Sequence, residues 1–103
     1  MIQLVFYVPK THLEQVKQAV FAAGAGSLGD YEQCCWQVLG QGQFKPLADS
    51  QPFIGEKNKL ETVSEYRVEM IIADEKLQAV EAALKDSHPY EIPAYHALKL
   101  VDL

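Results

Sequence analysis

Arginine is almost missing from this chain. Arg67 is the single one in 103 residues, and nine basic side chains stand against fourteen acidic ones, a formal net charge of -5. Phosphate backbones are held by clustered Lys and Arg. The few lysines here are scattered, which argues against a nucleic-acid partner and, equally, against an anionic membrane surface. Cysteine is scarce too, and Cys34 and Cys35 are neighbours, so a bond between them would be strained. Reduced thiols and a cytoplasmic location fit better. No apolar run approaches a membrane span, and Met1-Ile2-Gln3-Leu4 enters a strand with neither a basic region nor a small-residue cleavage site.

What is present is ordinary for a folded protein. Hydrophobic residues make up 49% of the chain and charged ones 22%, which argues against disorder. The length predicts a single domain over residues 1–103 with one core, stable without disulfides or a structural metal.

Ile2, Leu4, Phe6 and Val8 alternate with Gln3, Val5 and Tyr7, the period of a strand with one face on a core, and Pro9 ends it. Thr11 and Glu14 have the spacing of a capping box. Leu13, Val16 and Val20 then follow at helical intervals, with Gly24 as a left-handed cap. Cys34 to Leu39 reads as a second strand, with Trp36 and Val38 on one face. Gly40, Gly42 and Pro46 open an irregular stretch reaching about Leu60, long enough to be functional or to carry structure of its own. Tyr66, Val68, Met70 and Ile72 make the clearest strand, with Glu65, Arg67 and Glu69 on its other face. Asp74 and Glu75 suit the start of a second helix, Leu77, Val80 and Leu84 form its stripe, and Pro89 stops it. A last strand begins near Ala94 or Tyr95 and contains Leu98 and Leu100.

The order is strand, helix, strand, strand, helix, strand. Each helix has one apolar stripe, so the pattern predicts an α+β, ferredoxin-like βαββαβ fold with both helices on one face of a four-stranded antiparallel sheet. The other face is partly apolar and awaits a cover, of which a second subunit is the simplest.

Few residues offer chemistry. Gly24, Gly26 and Gly29 have dinucleotide-fingerprint spacing, but they follow a helix and lead to a strand, the reverse of what a pyrophosphate site requires. A helix-to-strand turn is the better reading, with a small anion nest as the alternative. His88-Pro89-Tyr90-Glu91 groups an imidazole, a phenol and a carboxylate behind the second helix, and His96 follows on the last strand. His88 and Pro89 serve equally well as a helix terminus. The other reading is a divalent-metal site of His88, Glu91 and His96, with Cys34 or Cys35 as a further ligand. At least one of these cysteines is expected to be buried as a small hydrophobe. Glu65, Arg67 and Glu69 are a solvated charge row, or paired interface groups if another subunit covers them. No nucleophile, base and orienting group stand at recognisable spacing, so no catalytic residues are assigned.

Gly24-Ala25-Gly26, Gly29, Tyr31, Cys34, Gly40, Gly42, Phe44 and Pro46, then Pro52-Phe53-Ile54-Gly55, Glu65, Arg67, Glu69 and His88-Pro89-Tyr90-Glu91-x-Pro93-Ala94-Tyr95, together resemble the YqfO-type domain of the Nif-three-like family. The resemblance runs from Val8-Pro9 to Tyr95. That domain occurs as an insert in longer members and as a free-standing small protein. It implies a CutA/PII-like version of the predicted fold, commonly trimeric. The two-metal core of the long proteins, and with it any cyclohydrolase label, has no counterpart here. Ile92 and His96 stand where the family usually has a glutamate and often an aspartate, which puts an inherited cation site in doubt.

The expected function is therefore a non-catalytic oligomeric module, trimeric by the resemblance, that binds a small ligand, an ion or a partner protein at a cleft between subunits. Its candidate ligand or interface residues are Gly24, Gly26, Gly29, Tyr31, Glu65, Arg67, His88, Tyr90 and Glu91. The alternative is a divalent-metal protein using His88, Glu91 and His96. An enzyme is a third reading, with nothing positive behind it.

Overall fold

The computed structural model describes residues 1–101. Strand β1 (Ile2–Pro9) leads through a single 3-10 turn, Lys10–His12, into helix α1 (Leu13–Ala22). Strands β2 (Trp36–Phe44) and β3 (Glu61–Ile72) follow. A second 3-10 turn, Asp74–Lys76, starts helix α2 (Leu77–Ser87), and β4 (Tyr95–Lys99) closes the order. The sheet runs β2-β3-β1-β4, and every neighbouring pair is antiparallel. This is the ferredoxin-like βαββαβ arrangement that the hydrophobic periods predict.

Register explains how one core forms. Ile2, Leu4, Phe6 and Val8 lie opposite Ile72, Met70, Val68 and Tyr66, so the apolar faces of both central strands coincide. Leu13, Val16 and Val20 of α1, and Val80 and Leu84 of α2, close over that face. Each fully buried Leu or Phe contributes roughly 1.5–3 kcal/mol relative to exposure. Both helices share this one side. Gly24 ends α1 with φ +115°. The amide of Ala25 bonds the Val20 carbonyl at 3.0 Å and that of Gly24 the Phe21 carbonyl at 3.0 Å, the paired bonds of a Schellman cap. Pro89 keeps His88 extended, with ψ 136°, and α2 stops there.

Four expectations need correction. The Thr11–Glu14 capping box does not form: Thr11 Oγ1 lies 2.8 Å from His12 Nδ1, and Glu14 pairs with Lys17 at 3.3 Å. The tight 3-10 turn puts His12, not Thr11, at the N-cap. The second strand begins at Trp36 rather than Cys34, because Gln33 takes φ +59° and the Cys34 amide is tied to the Gly26 carbonyl at 2.9 Å. Cys34 is half-buried and Cys35 exposed, both as free thiols, so neither is the buried small hydrophobe expected. Finally, Gly40 and Gly42 are not loop residues. They belong to β2, opposite Glu65 and Val63, and β3 starts at Glu61, so the irregular connection shrinks to residues 45–60. Glycine there admits a close cross-strand neighbour: a Cβ on Gly42 would collide with the Glu65 carboxylate.

Candidate functional site

The sheet face turned away from the helices is open. Reading across it, Leu98, Gln3 and Ile71 make one row, His96, Val5, Glu69 and Trp36 the next, and Tyr7, Arg67 and Val38 a third. Its centre is ionic. Arg67 donates to the Tyr7 hydroxyl at 3.0 Å, its Nε lies 3.7 Å from Glu69, and Gln3 donates to Glu69 at 3.3 Å. Around that centre Trp36 is 61% exposed, Leu98 53% and Val38 43%. Val5, beneath the network, is fully buried.

At the end of this face, where the β2–β3 hairpin extends past the sheet, the residues after α2 fold back on β1 and β3. His88 is the single buried polar or charged residue among the described ones. The β1–β4 ladder pairs residues only as far as Phe6 and Tyr95. Beyond it the Tyr7 amide bonds the Ala94 carbonyl at 3.1 Å. The Tyr7 carbonyl, which points to the same edge, accepts from His88 Nε2 at 2.7 Å. The Tyr90 amide donates to His88 Nδ1 at 3.1 Å. A backbone N–H can only donate, so Nδ1 carries no proton and Nε2 does. His88 is thus a neutral imidazole of defined tautomer. Burial moves its pKa below the ordinary histidine value, against the opposing pull of the Tyr7 carbonyl and Glu65.

Tyr90 continues the chain of contacts. Its hydroxyl donates to Glu65 Oε2 at 2.9 Å, and burial together with that carboxylate holds the phenol well above its usual pKa. It remains a neutral donor at any ordinary pH. Glu91 accepts from the Gln51 amide at 3.0 Å, fastening the 45–60 connection to the segment after α2. Between these two segments lies a cleft of about 260 Å³, walled by Phe44, Phe53, Ile54 and Tyr90, with Glu65 and Glu91 on its border. The Phe44 and Phe53 rings stand 6.2 and 6.4 Å from the Tyr90 ring, and His12 meets Phe53 edge-on at 5.2 Å.

The fold therefore gathers Glu65, His88, Tyr90 and Glu91. It leaves the glycine turn elsewhere. The Gly26 amide bonds the carbonyl of Ile71, six residues along β3 from Glu65, roughly 20 Å at 3.4 Å per residue. Gly26 has φ +81°, and a Cβ there would come within 2.8 Å of the Phe21 ring. Gly29 sits in the turn between Leu28 and exposed Tyr31, which bridge each other. Arg67 belongs to the open face. The ligand trio His88, Glu91 and His96 does not come together: both His88 nitrogens are engaged within the protein, and exposed His96 lies on β4 opposite Val5. Among the described residues no three His, Cys, Asp or Glu side chains gather at one point. Phe44, Phe53, Gly42 and Tyr7 carry roles in this region that sequence reasoning missed. The signals for the wall were the length of the irregular stretch after the second strand and the resemblance carried by Phe44, Pro46 and Pro52-Phe53-Ile54.

No family model matches the chain. It is 43% identical over 100 residues to a GTP cyclohydrolase 1 type 2 homolog of Halalkalibacterium halodurans, covering 97% of this chain and 27% of that protein. Its fold superposes on a Bacillus cereus protein related to NIF3 with a TM-score of 0.82 and 37% identity, over 98% of this chain and 26% of that one. It also superposes on CutA1 from Pyrococcus horikoshii with a TM-score of 0.71 and 15% identity, over 100% and 86% of the two chains. The chain spans about a quarter of the first two proteins, so the activity named for the whole relative is not carried over. The match to CutA1 shows a shared fold. No helix among the described residues is long and apolar enough to cross a membrane. Over nearly its whole length the chain is thus similar in sequence to one segment of the NIF3-related proteins and GTP cyclohydrolase 1 type 2 homologs, and it shares its fold with CutA1.

Proposed function

We propose that residues 1–103 act as one non-catalytic, cytoplasmic, CutA/PII-like module that assembles with copies of itself and binds a small ligand or partner beside the subunit contact. The supporting observation is the open sheet face. Trp36, Val38 and Leu98 ring an Arg67–Glu69–Tyr7 centre there, and exposed apolar side chains around paired charges are the composition of an interface. The two edge strands, β2 and β4, also leave backbone groups available for pairing. The trimer implied by the family resemblance is the stoichiometry expected.

Size-exclusion chromatography with light scattering tests the assembly. A mass near three chains at micromolar concentration, falling to one chain on Trp36→Lys, supports the reading. A wild-type protein of one chain's mass at that concentration removes the subunit contact and the reading with it.

A further inference from the structure

The cleft between the 45–60 connection and the segment after α2 has walls of unusual chemistry. Three aromatic rings, Phe44, Phe53 and Tyr90, converge with centroid separations of 6.2 and 6.4 Å about Tyr90. Two carboxylates, Glu65 and Glu91, border the same space, and no lysine or arginine lines it. Among the described residues neither carboxylate is paired with a basic side chain. Glu65 accepts from the Tyr90 hydroxyl and Glu91 from the Gln51 amide, both uncharged donors, so two negative charges remain on a mostly apolar wall. The donors also hold the side chains in place. Tyr90 is anchored from behind by His88, and Glu65 lies over Gly42, where any side chain would displace it.

Rings facing a common space favour a cation through their quadrupoles, and unpaired carboxylates favour it through charge. A compact inorganic cation is poorly served, since no three His, Cys, Asp or Glu side chains gather at one point among the described residues. An anion meets the wrong sign twice. The volume, about 260 Å³, falls below the roughly 300–1,000 Å³ of sites for drug-sized ligands and suits a small molecule. We infer that this cleft is a binding site for a small organic ammonium ion, a quaternary or alkylated amine held by the rings of Phe44, Phe53 and Tyr90 and the charges of Glu65 and Glu91. This deepens the small-ligand part of the proposed function, and because the cleft lies within one chain, its test is separate from that of assembly.

The experiment is a titration of isotope-labelled protein by NMR, in parallel with light scattering. The probes are choline, its uncharged carbon isostere dimethylbutanol, and acetate. Choline is expected to shift resonances of Phe53 and Tyr90 and to bind at least about tenfold more tightly than the isostere. Acetate should leave those resonances in place. Glu65→Gln keeps an acceptor for Tyr90 while removing the charge, and should weaken choline several-fold without weakening the isostere. Phe53→Leu, at an exposed loop position, should weaken choline likewise. Equal affinity for choline and its isostere, choline shifts outside the cleft or none at tens of millimolar, or unchanged choline binding in both variants would overturn the assignment. A one-chain mass with choline binding intact would refute assembly alone and leave the cleft assignment supported.

Discussion

Replacing His88 by phenylalanine keeps the ring and removes both of its hydrogen bonds, to the Tyr7 carbonyl at 2.7 Å and from the Tyr90 amide at 3.1 Å. Two backbone groups then lose their partner in a site where the histidine itself is only 6% exposed. At about 1–3 kcal/mol for each unsatisfied group, the variant should lose about 2–6 kcal/mol at pH 7. For a domain of this size, 2 kcal/mol already lowers Tm by at least about 8 °C. Urea unfolding followed by circular dichroism measures the loss. The pH dependence separates hydrogen bonding from shape. Burial sets the folded pKa of His88 below 6.5, so the unfolded chain takes up the proton first. The histidine's contribution is therefore complete above about pH 6.5 and declines as pH falls toward the lower folded value. The limiting slope is about 1.4 kcal/mol per pH unit. The gap between wild type and His88→Phe should narrow across that window. A variant within about 0.5 kcal/mol of wild type at pH 7, or a gap constant from pH 7 to 5, would refute the neutral, doubly bonded imidazole.

Other substitutions probe the supports of the same region. Gly42→Val should push the Glu65 carboxylate off Tyr90, costing about 1.5–3 kcal/mol from the lost charge-assisted bond and reducing choline binding in the same titration. Leu84→Ala, in the buried stripe of α2, should cost about 2–5 kcal/mol by urea unfolding while leaving the open face, and hence the assembled mass, unchanged under native conditions. Gly26→Ala combines a positive φ with a near contact to Phe21. It should lower the urea midpoint by an amount equivalent to at least about 1 kcal/mol.

Side-chain period was enough to read the helices, the two central strands and the face they share, because Ile2, Leu4, Phe6, Val8, Val68, Met70 and Ile72 must all be withdrawn from water together. It was also enough to leave the opposite face uncovered and to recognise the glycines after α1 as a turn. Helix ends were legible where one residue dictates φ, as at Gly24 and Pro89, and not where side chains choose among partners, as at Thr11. Hydrophobic alternation could not place Gly40 and Gly42 in a strand, since glycine has no side chain to mark a face, and only pairing with Glu65 and Val63 puts them there.

The chemistry of His88, Tyr90 and Glu65 was present in the sequence as residue types alone. Whether His88 caps a helix, binds a metal or bonds the backbone depends on what faces its two nitrogens. Those partners, Tyr7 and Tyr90, lie 81 residues away and two residues away. The cleft likewise joins residues near 44–54 with others near 90, which no local pattern connects. Local periodicity is a property of the chain taken a few residues at a time, so the sequence alone determined the helices, the two central strands and their buried sides. Convergence of remote side chains follows from register and from how far the β2–β3 hairpin extends, and this the tertiary structure alone decided.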